Sequence, residues 1–122
     1  MLPVLAGVVL TVGAAIGMTT TDQAMFCGSC HSMDEAELTH SQSVHAALAC
    51  NECHAPHNLM AKLPFKAKEG ARDVFATVTS SIPDLIHPGK ETMGVVQANC
   101  QRCHSATTST VVMQSKQYCT DC

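Results

Sequence analysis

From Leu2 to Met18 the chain carries no charge, and its apolar run is broken only by Thr11 and a few glycines. As a helix these residues reach about 25 Å, near the lower limit for crossing a bilayer core. Polar Thr19-Thr20-Thr21-Asp22 follows. The next helical pattern runs from Asp34 to Leu48 and opens with acidic residues, which suit a helix N-terminus. Ala61 to Thr79 has helical character interrupted at Pro64 and Gly70. Ser80 to Gly89, broken by Pro83 and Pro88, reads as a loop, and Glu91 to Ala98 as a further helix. Sustained period-two alternation is missing throughout, so no sheet is expected. The predicted fold is mainly α: one N-terminal transmembrane helix (residues 1–21), then a small helix-and-loop domain (residues 22–122).

An uncleaved anchor competes with two alternatives for the first segment. A cleaved signal peptide would also be apolar and followed by polar residues. However, no basic residue precedes this run and no small-x-small cleavage site follows it. A buried soluble helix is weakened by Gly7, Gly13 and Gly17, which are common in membrane spans. The anchor is the better reading. The absent basic flank suggests further residues upstream of Met1.

Cysteine changes the picture most. All eight cysteines fall into four Cys-x-x-Cys pairs. Three are followed at once by histidine: Cys27-Gly-Ser-Cys30-His31, Cys50-Asn-Glu-Cys53-His54 and Cys100-Gln-Arg-Cys103-His104. The fourth, Cys119-Thr-Asp-Cys122, ends where its histidine is due, and the natural chain is expected to continue beyond it. Cys-x-x-Cys-His is the attachment signature of c-type haem. Two thiols with a two-residue spacer reach the vinyl groups of one macrocycle, and the adjacent histidine supplies an axial imidazole. A thioredoxin-like pair belongs near a βαβ pattern. Zinc bound by two pairs and a set of disulfides both leave the three histidines unexplained. Four covalent haems are therefore expected.

Composition agrees. In 122 residues there is no Trp, one Tyr and three Phe, too little bulk for a conventional core, and macrocycles would fill that volume. A formal net charge of −3 argues against nucleic-acid binding. Haem is attached outside the bacterial cytoplasm, so the expected location is the cytoplasmic membrane, single-pass, with the haem domain in the periplasm.

Several stretches together resemble the NapC/NirT family of membrane-anchored multihaem cytochromes. They are Asp22-Gln23 before Cys27, the Cys-x-x-Cys-His-x-Met from Cys27 to Met33, and CNECHAPHNLMAKLPFKAKEGARD from Cys50 to Asp73. Asn99-Cys100 with His104, and Tyr118-Cys119-Thr-Asp-Cys122, extend the likeness to the last residue. Within the family the chain is most similar to the small quinol-oxidising subunits of ammonia-forming cytochrome c nitrite reductases. The resemblance implies that Met33, instead of His31, ligates the first haem, and that Asp73 approaches its other face. It makes His54 and His104 proximal ligands of the second and third haems, and His45 the distal ligand of the third. For the second haem it implies a distal lysine from the catalytic partner, with His57 as the internal competitor. His40 and His87 are further spare histidines.

A thioether raises haem potential relative to two imidazoles, which suits a site that takes electrons from menaquinol. Asp73 is a candidate base and Lys66 a candidate for holding the quinol oxygen. The plainer readings are a packing methionine, a solvated aspartate, and a basic face of Lys62, Lys66, Lys68 and Arg72 against anionic lipid. The implied partners are menaquinol, membrane lipid and the pentahaem catalytic subunit of nitrite reductase, in a hetero-oligomer. The alternatives are a NapC-like donor to another periplasmic reductase, or a passive electron-transfer module that never touches quinol.

Overall fold

A computed structural model describes residues 1–83, 86–110 and 117–121. The described residues form six α-helices and two short 3₁₀ turns, with no strand among them. They divide into two compact units, Met1–Cys50 and Asn51–Cys122.

The first unit opens with α1 (Leu2–Thr20), whose mean hydropathy is 2.0 and none of whose residues is buried. Pro3 stands in its first turn, where a missing N–H costs nothing. Its hydroxyls turn back onto the helix: Thr11 Oγ1 donates to the Gly7 carbonyl at 2.8 Å, and Thr20 Oγ1 to Ile16 at 2.9 Å. A helix whose polar groups are satisfied internally and whose apolar faces point outward is suited to lipid. Next come α2 (Ala24–Cys27), a 3₁₀ turn over His31–Met33, and α3 (Asp34–Ser41).

The helix expected to run to Leu48 stops at Ser41. Serine competes with the backbone here: Ser41 Oγ donates to the Leu38 carbonyl at 2.8 Å, and Ser43 Oγ accepts from His45 N at 3.1 Å. The chain then continues in successive turns, Ala46 N to Ser43 O and Leu48 N to His45 O.

Helix α4 (Cys50–His54) starts on the last residue of the first unit, and α5 (Leu59–Val78) and α6 (Lys90–Thr108) follow in the second. Helix α5 starts on the Asn58 side chain, which accepts from Met60 N at 2.9 Å. Contrary to expectation, α5 is unbroken at Pro64 and Gly70. Pro64 forfeits one backbone bond, but the helix puts its neighbour Phe65 into the core and continues. It ends with Ser80 at φ 50°, a left-handed position usually given to glycine. There Ser81 N bonds to Ala76 O and Ser80 N to Thr77 O, which closes the helix end.

Helix α6 is longer than the expected Glu91–Ala98 and carries the third cysteine motif within it. Lys68 of α5 and Glu91 of α6 are ion-paired, and the Lys68 ammonium lies 5.8 Å from the Phe65 ring centroid. That pair raises the Lys68 pKa, chiefly through the Glu91 hydrogen bond.

Only Ala55 and Phe65 among the apolar side chains are buried, and Asn99 is the buried polar one, among the described residues. Large apolar groups on α5, such as Leu59, Met60, Val74 and Phe75, face outward. The described residues alone make almost no core.

Candidate haem attachment and quinol site

The three complete motifs adopt two different backbones. Cys50–His54 is helical throughout, and Cys100 to Cys103 lie inside α6, with the helix distorted only at His104 (φ −104°, ψ 21°). Residues i, i+3 and i+4 share a helix face, so both thiols and the histidine of each motif sit on one side.

At the first motif α2 ends on Cys27, and Cys30 is extended (φ −101°, ψ 124°). His31 then starts a separate 3₁₀ turn, exposed, with Nδ1 2.9 Å from Asp34 Oδ2. Met33 N bonds to Cys30 O at 2.8 Å, and the residue is half-buried. The fourth pair has Cys119 at the head of a 3₁₀ turn, its N–H donating to Gln97 Oε1 of α6 at 2.6 Å. Cys122 lies outside the described residues.

These residues fit haem. None of the seven described cysteines is in a disulfide. Among the described residues, no three His, Cys, Asp or Glu side chains converge as a zinc site requires. With only two apolar side chains buried among the described residues, and leucine, methionine and phenylalanine facing outward, the chain has the surface that flat macrocycles cover.

In the second unit Asn99 is the hub. Its Nδ2 donates to the carbonyls of Cys53 at 2.8 Å and Ala55 at 3.0 Å, the two residues on either side of His54. Loss of such a buried donor strands two acceptors, at about 1–3 kcal/mol. Nearby, Arg102 lies 3.6 Å from Glu52 Oε2 and 2.7 Å from His57 Nε2. That nitrogen is also 3.0 Å from the Glu52 carbonyl. Arginine only donates and a carbonyl only accepts, so the two contacts call for opposite tautomers of His57, and only one of them is a hydrogen bond in either form. Burial pushes the Cys100 thiol up, and the neighbouring thiols of Cys119 and Cys53 add to the shift.

Lys66 and Asp73 lie seven residues apart on α5, two turns along one face. Asp73 is exposed, yet desolvation by the helix around its carboxyl raises its pKa above the ordinary carboxylate value. The charge of Glu69 adds to this, and Arg72 partly offsets it. Arg72 itself is held 3.6 Å from Glu69, and Lys68 is held by Glu91. His45 lies in the turn after α3, and His40 has a buried Nδ1 with no hydrogen-bond partner. Met33 and His45 belong to the first unit; Lys66, Asp73, His54 and His104 belong to the second.

Asn99 as a donor to both carbonyls, and Asp34 as the partner of His31, were not anticipated from sequence. The opposite charges of Glu52 and Arg102, at the same place in two motifs, were the available signal.

The arrangement is that of a membrane-anchored c-type cytochrome. Residues 1–117 match the NapC/NirT cytochrome c family, N-terminal region, and the chain belongs to that family. Covalently attached haem is therefore its cofactor. It is 54% identical over 117 residues to the cytochrome c nitrite reductase subunit NrfH of Nitratidesulfovibrio vulgaris, covering 95% of this chain and 74% of that one. With the c-type protein NrfH of Wolinella succinogenes it shares 32% identity over 88 residues, 70% of this chain and half of the relative. Among solved structures it matches the cytochrome c nitrite reductase NrfHA complex bound to the HQNO inhibitor. The TM-score is 0.90 at 52% identity, over 98% of this chain and 83% of that one.

Proposed function

We propose that this chain is the membrane-anchored quinol dehydrogenase of a nitrite reductase complex. It oxidises menaquinol and relays the electrons through four covalent haems to the pentahaem catalytic subunit of a periplasmic, ammonia-forming cytochrome c nitrite reductase. The observation that carries this reading is the match along 98% of the chain to a solved NrfHA complex. Residues 1–21 anchor the protein, and residues 22–122 form the haem domain on the periplasmic side.

When bound, the haems supply one-electron redox chemistry. The chain supplies the ligands and the proton path. Met33 would hold the iron of the first haem, His54 and His104 the irons of the second and third, and His45 would add a second ligand to the third. Cys27, Cys30, Cys50, Cys53, Cys100, Cys103, Cys119 and Cys122 would make the thioether bonds.

Oxidation of a quinol releases two electrons and two protons, so the site needs a base. Asp73 has the raised proton affinity that suits this role. Lys66, on the same face of α5, donates to the quinol oxygen and fixes its position. A base works only when ionised, so the quinol-dependent rate falls as pH drops through the raised pKa of Asp73. For stability the sign is opposite. Folding tightens proton binding at Asp73, so its contribution is present in acid and is lost as pH rises through the folded-state pKa.

The test is anaerobic mixing of the oxidised, detergent-solubilised holoprotein with a menaquinol analogue, followed by haem absorbance. Rapid reduction is expected, blocked by HQNO. In Asp73→Asn it should be lost, by at least about 100-fold, with haem content unchanged. Reduction by dithionite but not by quinol would leave a passive electron-transfer module.

A further inference from the structure

The second and third attachment motifs are fastened to each other by residues in and beside them. Asn99 immediately precedes Cys100, and its amide grips the backbone on both sides of His54. Glu52 and Arg102 occupy the residue before the second cysteine in their motifs, carry opposite charges and face each other at 3.6 Å. His57 completes the group, 2.7 Å from Arg102. The amide clasp is buried and the ion pair is exposed. The clasp therefore carries most of the constraint, because exposed pairs contribute little.

We infer that Asn99 is a positioning residue for the electron relay: with the Glu52–Arg102 pair, it joins the second and third attachment motifs into one rigid body and sets the mutual placement of their haems. The inference rests on the reading of Cys50–His54 and Cys100–His104 as haem motifs. From the position next to the third motif's first cysteine, Asn99 holds both carbonyls that flank His54, so its amide links the two motifs directly. Displacing the Asn99 amide moves His54 and Cys100 together.

Asn99→Asp keeps the shape but replaces the donor with a carboxylate facing two carbonyl oxygens. In the detergent-solubilised holoprotein this variant should retain its haems. The potentials of the second and third haems should shift, and electron transfer through the chain should slow by about tenfold, the usual effect of losing an outer-shell partner. The spectrum of the Met33-ligated haem should stay as in the parent. Full haem content with parental potentials and rates would overturn the inference while leaving the haem reading intact. If the parent chain itself took up no haem at these motifs, the underlying reading would fail instead. Should Asn99→Asp fail to mature, Asn99→Ser decides: its shorter side chain cannot donate to both the Cys53 and Ala55 carbonyls, so with haem retained the same two potentials should shift and transfer should slow. Parental potentials and rates in that variant would overturn the inference.

Discussion

The motif at Cys27 and the motifs at Cys50 and Cys100 share a five-residue signature but not a backbone. In the latter two the spacers, Asn51-Glu52 and Gln101-Arg102, tolerate helix, so both thiols and the histidine emerge on one face. In the first the spacer is Gly28-Ser29. Ser29 Oγ takes the Phe26 carbonyl at 2.6 Å, the helix ends, and Cys30 is extended. His31 is carried out of register and toward Asp34, while Met33 arrives two residues later. On the proposed assignment of Met33 to the first haem, backbone geometry in the spacer, more than the letter after the second cysteine, would select which side chain is offered as ligand.

The strongest way to break this comparison is alanine at each motif histidine. His54→Ala and His104→Ala should each lose low-spin character at one haem and slow electron transfer by at least about tenfold. His31→Ala should leave the absorption spectrum and the quinol-dependent rate unchanged. Met33→Leu is the converse: the thioether signature should vanish, the first haem's potential should fall, and reduction by quinol should drop by at least about tenfold. A His31→Ala chain that loses a low-spin haem, with Met33→Leu silent, would reverse the assignment.

A smaller effect is expected from Asp34→Asn. The His31–Asp34 contact is exposed on both sides, so removing its charge shifts any competition between His31 and Met33 by roughly fivefold at most. Near-infrared and magnetic spectra of the first haem resolve a minor population of that size. A spectrum wholly of Met33 ligation in the variant would show that the extended Cys30 alone excludes His31.

Much of this was legible in the sequence, for identifiable reasons. The apolar run of α1 and the Cys-x-x-Cys-His spacings are local signals, and the helices appear close to where periodicity puts them. The errors lie where one local rule overrode another. Pro64 predicts a break, but burying Phe65 keeps α5 whole. The pattern from Asp34 to Leu48 predicts one helix, but the serine side chains at 41 and 43 divert the backbone. The clasp of Asn99 on Cys53 and Ala55 joins positions 46 and 44 residues apart, and no local pattern encodes it. Lys66 and Asp73 could be placed seven residues apart from sequence; the raised pKa of Asp73 needed the desolvation and the Glu69 charge that only the folded helix shows.

The finest distinction between the motifs is steric, and Gly28→Ala probes it. Gly28 has φ −68° and ψ −4°, a conformation open to any residue. Alanine there gains about 0.4–1 kcal/mol by restricting the unfolded chain. Against this, a Cβ at Gly28 would meet Glu37 Cγ at 2.9 Å and Cβ at 3.2 Å, because α3 closes on the spacer. The outer atom swings away with the side chain, but the inner one is tied to the α3 backbone, and overpacking costs about 1–3 kcal/mol. The balance is a loss of about 1 kcal/mol, seen as a lower denaturant midpoint of the holoprotein with haem content unchanged. Adding Glu37→Ala removes the Cγ contact and should recover part of that loss. A midpoint at or above the parent's in Gly28→Ala alone would mean that α3 yields freely, so that the first motif is shaped by its backbone turn and not by the helix packed against it.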